Sequence, residues 1–218
     1  MTLPNQPADT KVFERLQYER NAKSAGHILV AGVDEAGRGP LAGPVVAACV
    51  ILPETTTGLE GINDSKKLTP AKRRDLFMRL HERALGIGVG IVDSHTIDRI
   101  NILQATFQAM QRAYEGMDPK PDYLLIDGNR RPGWVQAGET LVQGDARSLS
   151  IGAASIIAKV TRDRIMEDYD YLYPQWGFGR HKGYGTADHM AAIQKHGICE
   201  LHRRTFLPIS RLLQKQEP

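Results

Sequence analysis

The sequence predicts one mixed α/β domain of 218 residues. Three observations predict this class: apolar, strand-like segments alternate with helical patterns, three of those segments end in an acidic residue, and neither an internal repeat nor a linker divides the chain. The length is enough for one well-buried domain and short for two. We expect residues 1–27 to form a helical lead-in, and residues 28–218 to form the main domain with a short helical extension at its C-terminal end.

Apolar runs predict five strands in order along the chain. They cover residues 28–33, residues 45–52, residues 86–92, a run ending at residue 127 and a short run ending near residue 142. Helical spacing of apolar residues predicts four helices, over residues 9–21, from residue 70 onwards, over residues 94–114 and over residues 148–168. The second of these begins with Thr69 and Pro70, which are typical of a helix N-cap and of the first helical position.

The first strand runs into two adjacent carboxylates, Asp34 and Glu35, and then into the turn Gly37-Arg38-Gly39. Side chains alternate faces along a regular strand, so these two acids serve one site only if the strand ends or bends there. Glycine makes such a bend cheap. Two negative charges beside exposed backbone N–H groups and an arginine indicate a divalent cation next to a phosphate. The alternative, for this pair alone, is a solvated loop carrying scattered charges.

Two further predicted strands end in an acid, at Asp127 and at Asp145. Ligand chemistry gathers at strand ends in open α/β sheets, so we expect these acids to join Asp34 and Glu35 in one site. Four oxygen donors without a His/Cys cluster favour Mg²⁺ or Mn²⁺ over zinc, and we expect one or two such ions with Asp34 as the bridging ligand. The sequence leaves open how Glu35 contacts the metal. Asp145 has a second interpretation, as the cap of the following helix.

Six blocks of the sequence follow the order of one known family. They are residues 34–48, residues 63–68, residues 126–128, residues 144–145 together with 151–163, residues 181–186 and residues 202–206. In these blocks the chain resembles type 2 ribonucleases H, specifically bacterial ribonuclease HII. The resemblance implies the ribonuclease H-like fold, a five-stranded mixed sheet flanked by helices. It also implies an endonuclease that hydrolyses the RNA strand of RNA–DNA hybrids and incises 5′ of ribonucleotides embedded in duplex DNA. The implied ends are a 5′-phosphate and a 3′-hydroxyl, and the implied roles are ribonucleotide repair and RNA primer removal.

The resemblance also assigns residues that bind the substrate. It implies that Gly37, Arg38 and Gly39 read the 2′-hydroxyl of the ribonucleotide, which is the group that distinguishes RNA from DNA. It implies that Lys66 contacts a phosphate and that Tyr184 packs on the adjoining deoxyribose. Taken alone, Lys66 is more typical of a solvated lysine, and Tyr184 is more typical of an ordinary surface or core tyrosine.

Bulk properties agree with these expectations without requiring them. A net charge of +3 allows a local basic face, and we expect RNA–DNA hybrid and ribonucleotide-containing duplex DNA as partners, no membrane, and a monomer. The start of the chain lacks the apolar core of a secretory signal, and its two cysteines make no disulfide framework, so we expect a cytoplasmic protein. Arg203 and Arg204 are interpreted either as contacts to the nucleic-acid backbone or as a solvated face.

Three other functions compete with this interpretation. A relative of the same fold that cuts branched DNA or joins strands is disfavoured by the Gly-Arg-Gly loop and the Gly-Tyr-Gly block. A hybrid-binding module without catalysis is disfavoured because four acids at a nucleic-acid face gain nothing unless metal neutralises them. A nucleotide cradle in the Gly-rich loop lacks the Lys-Ser/Thr pattern that such loops need.

Overall fold

The computed structural model describes residues 14–214 and places one mixed sheet at their centre. Its strands are β1 (Val30–Ala36), β2 (Val45–Ile51), β3 (Gly86–Val92), β4 (Tyr123–Asp127) and β5 (Gly138–Leu141). The strand order is β3-β2-β1-β4-β5, with antiparallel pairing of β3 with β2 and of β2 with β1, and parallel pairing of β1 with β4 and of β4 with β5. The five-stranded mixed sheet is therefore confirmed, and β1 is its central strand.

Helices cover the sheet and continue beyond it. The described residues form α1 (Gln17–Ser24), α2 (Pro70–Arg83), α3 (Ser94–Glu115), α4 (Gly144–Arg147), α5 (Leu149–Leu172), α6 (Phe178–His181), α7 (Ala187–His196) and α8 (Ile209–Gln214). The predicted start of α2 is correct, because the Thr69 side chain accepts a hydrogen bond from the Lys72 N–H at 3.3 Å and Pro70 follows the cap. Helices α6 to α8 form the expected C-terminal extension. Of the predicted lead-in, residues 1–13 lie outside the described residues.

The structure of β1, α3 and α5 differs from the sequence-based expectations. β1 continues to Ala36 instead of ending at residue 33, because residues 34–36 still pair with β2. Asn101 interrupts α3 with a positive φ of 65°, and its side-chain oxygen accepts two N–H groups from the following turn. The cap of the long helix α5 is Ser148, whose hydroxyl accepts the Ile151 N–H at 3.2 Å. Asp145 is therefore not the cap of that helix and lies within the separate short helix α4.

The two faces of the sheet are packed by different helices. Ala31 and Val33 of β1 pack in the cluster that contains buried residues of α3. Ala48 and Val50 of β2 pack on the other face, in the cluster that contains residues of α5. Gly32 lies where α5 approaches β1, and a Cβ there would stand 2.1 Å from the Ser150 carbonyl carbon. The absence of a side chain at this position thus sets how closely the helix approaches the sheet.

The C-terminal extension is built around buried histidines. His189 Nδ1 is 2.9 Å from the Tyr184 carbonyl oxygen, so it carries a proton and donates it, while its Nε2 is 3.1 Å from Nε2 of His202. The Cys199 N–H donates to Nδ1 of His202 at 2.9 Å. These partners require two neutral rings, and burial lowers the pKa of each histidine to about 4. The cluster fixes the turn that carries Tyr184.

No helix among residues 14–214 is long and apolar enough to cross a membrane.

Replacing Gly32 by Ala should destabilise the protein by about 3 kcal/mol or more, because the new methyl group meets backbone atoms that cannot move without separating α5 from β1. Chemical unfolding measured by circular dichroism gives the change in the free energy of unfolding. Gly133→Ala is the matched control, since a Cβ at Gly133 meets no heavy atom within 4 Å. Equal stability of the two variants would contradict the close approach.

Candidate active site

The sheet brings the four predicted acids to one edge. In the parallel pair of β1 and β4, Val33 is level with Ile126, so Asp34 of β1 is a neighbour of Asp127, the last residue of β4. The Gly144 N–H donates to Asp127 Oδ1 at 2.7 Å, and Asp145 follows directly in α4. Strand pairing and one hydrogen bond therefore gather acids that are far apart in the sequence.

The expected bend between Asp34 and Glu35 is wrong. β1 stays regular through both residues, so Asp34 faces α5, like Gly32, and Glu35 faces the opposite side, next to residues of α3. Both carboxylates nevertheless lie near Asp127, at the end of the neighbouring strand, because the charge of Asp127 raises the pKa of each. The shared site is formed around the end of the sheet, with one acid approaching it from each face.

Burial and mutual repulsion dominate the electrostatics of these acids. Asp34 is 5% exposed and accepts the Glu35 N–H at 2.7 Å. Burial, Glu35 and Asp127 together raise the pKa of Asp34 well above its usual range. Burial also raises the pKa of Glu35, an effect opposed by Arg38 Nη1 at 3.3 Å and reinforced by Asp127. Burial, Asp64 and Asp127 raise the pKa of Asp145.

Asp64 is an acid of this site that the sequence analysis did not single out. It begins a short 3₁₀ turn, and its carboxylate accepts the Lys66 N–H at 2.9 Å. The charges of Asp34, Asp64 and Asp145 raise the pKa of Lys66 although burial acts in the opposite direction. The ammonium group of Lys66 thus lies in the field of the acids. The sequence signal for Asp64 is its capping position directly before Ser65 and Lys66.

The carboxylate oxygens of these acids are ligands of the type that hard cations prefer, but the side chains do not lie close enough together to coordinate one. Within residues 14–214, no group of three His, Cys, Asp or Glu side chains converges closely enough to hold a metal ion. Carboxylates that raise one another's pKa values repel one another, and a divalent cation would relieve this repulsion. The donor set therefore fits Mg²⁺ or Mn²⁺, with side-chain movement needed to bring the oxygens together.

All five residues expected to bind substrate line one cleft of about 750 Å³ together with Glu35. They are Gly37, Arg38, Gly39, Lys66 and Tyr184. The Tyr184 side chain is 44% exposed, and a Cβ added to Gly39 would stand 3.8 Å from its ring atom Cε1. The ring and the loop are therefore adjacent walls of the cleft. The cleft lies next to the edge of the sheet that carries Asp34, Glu35, Asp127 and Asp145, which we call the acidic edge.

Two arginines behind the cleft are buried, and one of them, Arg203, is interpreted wrongly from sequence. Arg162 is 1% exposed and donates to the carbonyl oxygens of Ala42, Pro44 and Lys182. Arg203 is fully buried, so it belongs neither to a solvated face nor to a surface that touches nucleic acid, whereas Arg204 is exposed. Buried polar groups need internal partners, and both guanidinium groups use backbone carbonyls.

The fold and its acidic edge define a class of protein. A ribonuclease H2 from Pyrococcus horikoshii has a similar structure, with a TM-score of 0.72 and 29% identity over 86% of this chain and 98% of that one. A ribonuclease HIII in complex with Mn²⁺ shares the fold, with a TM-score of 0.68 and 17% identity over all of this chain and 76% of that one. The chain thus belongs to the class of proteins with the ribonuclease H-like fold.

Sequence comparison specifies the family. The family model described as Ribonuclease HII matches residues 31–208. Proteins named Ribonuclease HII are 58% identical in Geobacter sulfurreducens, over 87% of each chain, and 54% identical in Enterococcus faecalis, over 92% of this chain and 78% of that one. The chain therefore belongs to the ribonuclease HII family, and it is an endoribonuclease that acts on RNA–DNA hybrids. The resemblance found from sequence alone is confirmed.

Asp34→Asn should raise the free energy of unfolding of the metal-free protein at neutral pH by about 1–2 kcal/mol, because it removes one of several buried charges that repel. The pKa of Asp34 is higher in the folded state than in the unfolded chain. Its contribution to stability is therefore present at low pH and is lost as the pH rises, so the gain from Asn should grow from about pH 4 to about pH 7. Urea unfolding across this range measures it.

The matched control is Asp168→Asn, at an exposed aspartate remote from the acids, which should leave stability unchanged. Adding Mn²⁺ should raise the melting temperature of the wild-type protein more than that of Asp34→Asn, since a ligand that binds only the folded state stabilises it. A loss of stability in metal-free Asp34→Asn would contradict the repulsion.

Proposed function

We propose that this ribonuclease H incises 5′ of ribonucleotides embedded in duplex DNA, in addition to hydrolysing the RNA strand of hybrids. The observation that carries the proposal is the single cleft in which the Gly37–Gly39 loop, Lys66 and Tyr184 border the acidic edge. A site that recognises one ribonucleotide must contact its 2′-hydroxyl and the sugars beside it, and the cleft offers backbone groups, a cation and an aromatic ring for these contacts.

The proposed metal ligands are Asp34, Glu35, Asp127 and Asp145, which would hold one or two Mg²⁺ or Mn²⁺ ions. When bound, such ions would supply an activated water and would neutralise the charge that gathers on the phosphate during hydrolysis. The proposed products carry a 5′-phosphate and a 3′-hydroxyl. The raised pKa values of Asp34 and Asp145 support this proposal, because perturbed carboxylates in a cleft are typical of functional sites.

The chain's own residues would orient the substrate. Lys66, beside three acids, is suited to hold a backbone phosphate next to them. Tyr184 is suited to pack on a deoxyribose, because a 2′-hydroxyl on that sugar would crowd the ring. The adjacent Arg38 and Gly39 backbone groups are suited to meet the 2′-hydroxyl of the ribonucleotide. Incision would thus fall at the junction between the two kinds of sugar.

We further propose that residues 28–218 act as one catalytic domain, as a monomer, in ribonucleotide repair and RNA primer removal. These roles follow from the proposed substrates, because both present a ribonucleotide joined to DNA within a duplex.

Labelled duplexes carrying zero, one or four ribonucleotides test the activity. We expect the wild-type protein with Mn²⁺ or Mg²⁺ to cut the second and third duplexes 5′ of a ribonucleotide and to leave the first intact. Chelator should abolish cleavage. Asp34→Asn should reduce the rate by about 10³-fold or more while duplex affinity stays nearly unchanged, since the charge it removes is needed for hydrolysis and not for contact.

The same assay separates the competing functions. Wild-type binding without cleavage in either metal would favour a hybrid-binding module, and cleavage of branched DNA in place of ribonucleotide duplexes would favour a junction nuclease. Near-normal turnover by Asp34→Asn would contradict the proposed site.

Tyr184→Ala should reduce incision at a single ribonucleotide by about 10-fold or more, because the sugar loses the ring on which it packs. Its affinity for plain duplex DNA should change much less. Steady-state incision and fluorescence anisotropy give the two quantities. Tyr171→Ala is the matched control, at a tyrosine 87% exposed and outside the cleft. Equal losses of incision and of DNA affinity in Tyr184→Ala would contradict this role.

A further inference from the structure

Arg203 is a buried cation whose hydrogen bonds all go to backbone carbonyls. Its side chain is fully enclosed. Nη2 donates to the carbonyl oxygens of Gly37 at 2.6 Å and of Gly43 at 2.9 Å, Nη1 donates to that of Arg38 at 2.9 Å, and Nε donates to that of Gly43 at 3.1 Å. Burying a charge without a carboxylate in contact is costly, and burial lowers the pKa of Arg203 to about 9. Because the burial of this charge costs free energy, its hydrogen bonds point to a role in shaping the Gly37–Gly39 loop.

The bonds of Arg203 fix the direction of two consecutive peptide planes. The C=O and N–H of a trans peptide point in opposite directions. Because Arg203 draws the Gly37 carbonyl into the interior, the Arg38 N–H of the same peptide points outward. The Arg38 carbonyl is held in the same way, so the Gly39 N–H also points outward.

The two outward N–H groups are free to bind. Among residues 14–214, neither the Arg38 N–H nor the Gly39 N–H has a hydrogen-bond acceptor. Both residues line the cleft, and Gly39 is beside the Tyr184 ring. Two successive amides that face the same side form a concave donor pair suited to one oxygen acceptor.

Gly37 and Arg162 support the same arrangement from behind. Gly37 has a φ of +95°, and a Cβ there would stand 2.0 Å from Arg162 Nε, so only glycine lets the loop lie on this guanidinium. Arg162 also donates to the Lys182 carbonyl at 3.0 Å, just before the turn that carries Tyr184. The loop and the tyrosine are therefore held against one rigid interior group.

We propose that Arg203 is a positioning residue that aims the Arg38 and Gly39 N–H groups at the 2′-oxygen of the ribonucleotide, an inference that rests on the proposed incision at embedded ribonucleotides. Only a planar fork of donors reaches three carbonyls in this arrangement. A lysine would keep the charge but present its donors from a single nitrogen, so it could not hold both peptide planes.

Arg203→Lys tests the proposal, with Arg204→Lys as the control at the exposed neighbouring arginine. Anisotropy in EDTA gives the affinity for a duplex with one ribonucleotide and for the same duplex in all-DNA form, and their ratio is the preference for the 2′-hydroxyl. We expect Arg203→Lys to lower this preference, and incision with Mn²⁺, by about 10-fold or more while the all-DNA affinity stays within about twofold. Arg204→Lys should retain the wild-type preference.

The outcomes are distinguishable. A wild-type protein that does not incise the single-ribonucleotide duplex overturns the proposed function and this inference with it. A wild-type protein that incises, with an Arg203→Lys preference equal to its own, overturns this inference alone. So does an Arg203→Lys variant that loses affinity for both duplexes equally, because that result assigns Arg203 to general stability.

A measurement on the wild-type protein keeps the test valid if Arg203→Lys fails to fold. In nitrogen-15 NMR spectra recorded in EDTA, the Arg38 and Gly39 amide protons should move downfield when the single-ribonucleotide duplex is added and not when the all-DNA duplex is added. Identical shifts with the two duplexes would overturn the inference.

Discussion

The parallel pairing of β1 with β4 is the constraint on which the site depends. Its register sets Asp34 level with Asp127, and the Gly144 N–H bound to Asp127 brings Asp145 to the same place. β1 is held on its other side by β2 and is covered by helices on both faces, so the backbone of Asp34 is fixed beside that of its neighbours. The packing of the sheet therefore holds these carboxylates close to one another, although like charges repel.

Charge burial is used in two opposite ways in this molecule. At the end of the central strands, acids raise one another's pKa values, and a bound cation would relieve their repulsion. Behind the cleft, Arg162 and Arg203 are satisfied by backbone carbonyls and make their surroundings rigid. The proposed metal ligands therefore lie beside a Gly37–Gly39 loop whose conformation is already fixed. This division would suit the proposed discrimination between ribonucleotides and DNA, because rigid donors discriminate better than movable ones.

Much of this was predictable from local patterns. The strand over residues 86–92, the Thr69 cap and the position of Asp127 at the end of β4 each depend on neighbours a few residues away, which sequence periodicity and capping preferences report. The predicted strand end at Asp145 is wrong, because β5 ends at Leu141 and Asp145 lies in α4. The mixed sheet and the ribonuclease HII family followed from resemblance. Less could be predicted at Glu35, where the sequence suggested a bend. A regular β1 instead places this acid on the opposite face from Asp34, because pairing with β2 continues to Ala36.

The sequence by itself determined the number of strands, the starts of α2 and α3 and the identity of the candidate acids, because these depend on residue type and short-range spacing. It determined the family through the resemblance of six sequence blocks. Only the tertiary structure decided that Asp64 joins the acids and that Arg203, which from sequence alone could lie on the surface, is buried behind the Gly-Arg-Gly loop. Burial and contact between residues 160 or more positions apart, such as Arg203 and Gly43, are set by chain packing. No local pattern encodes them.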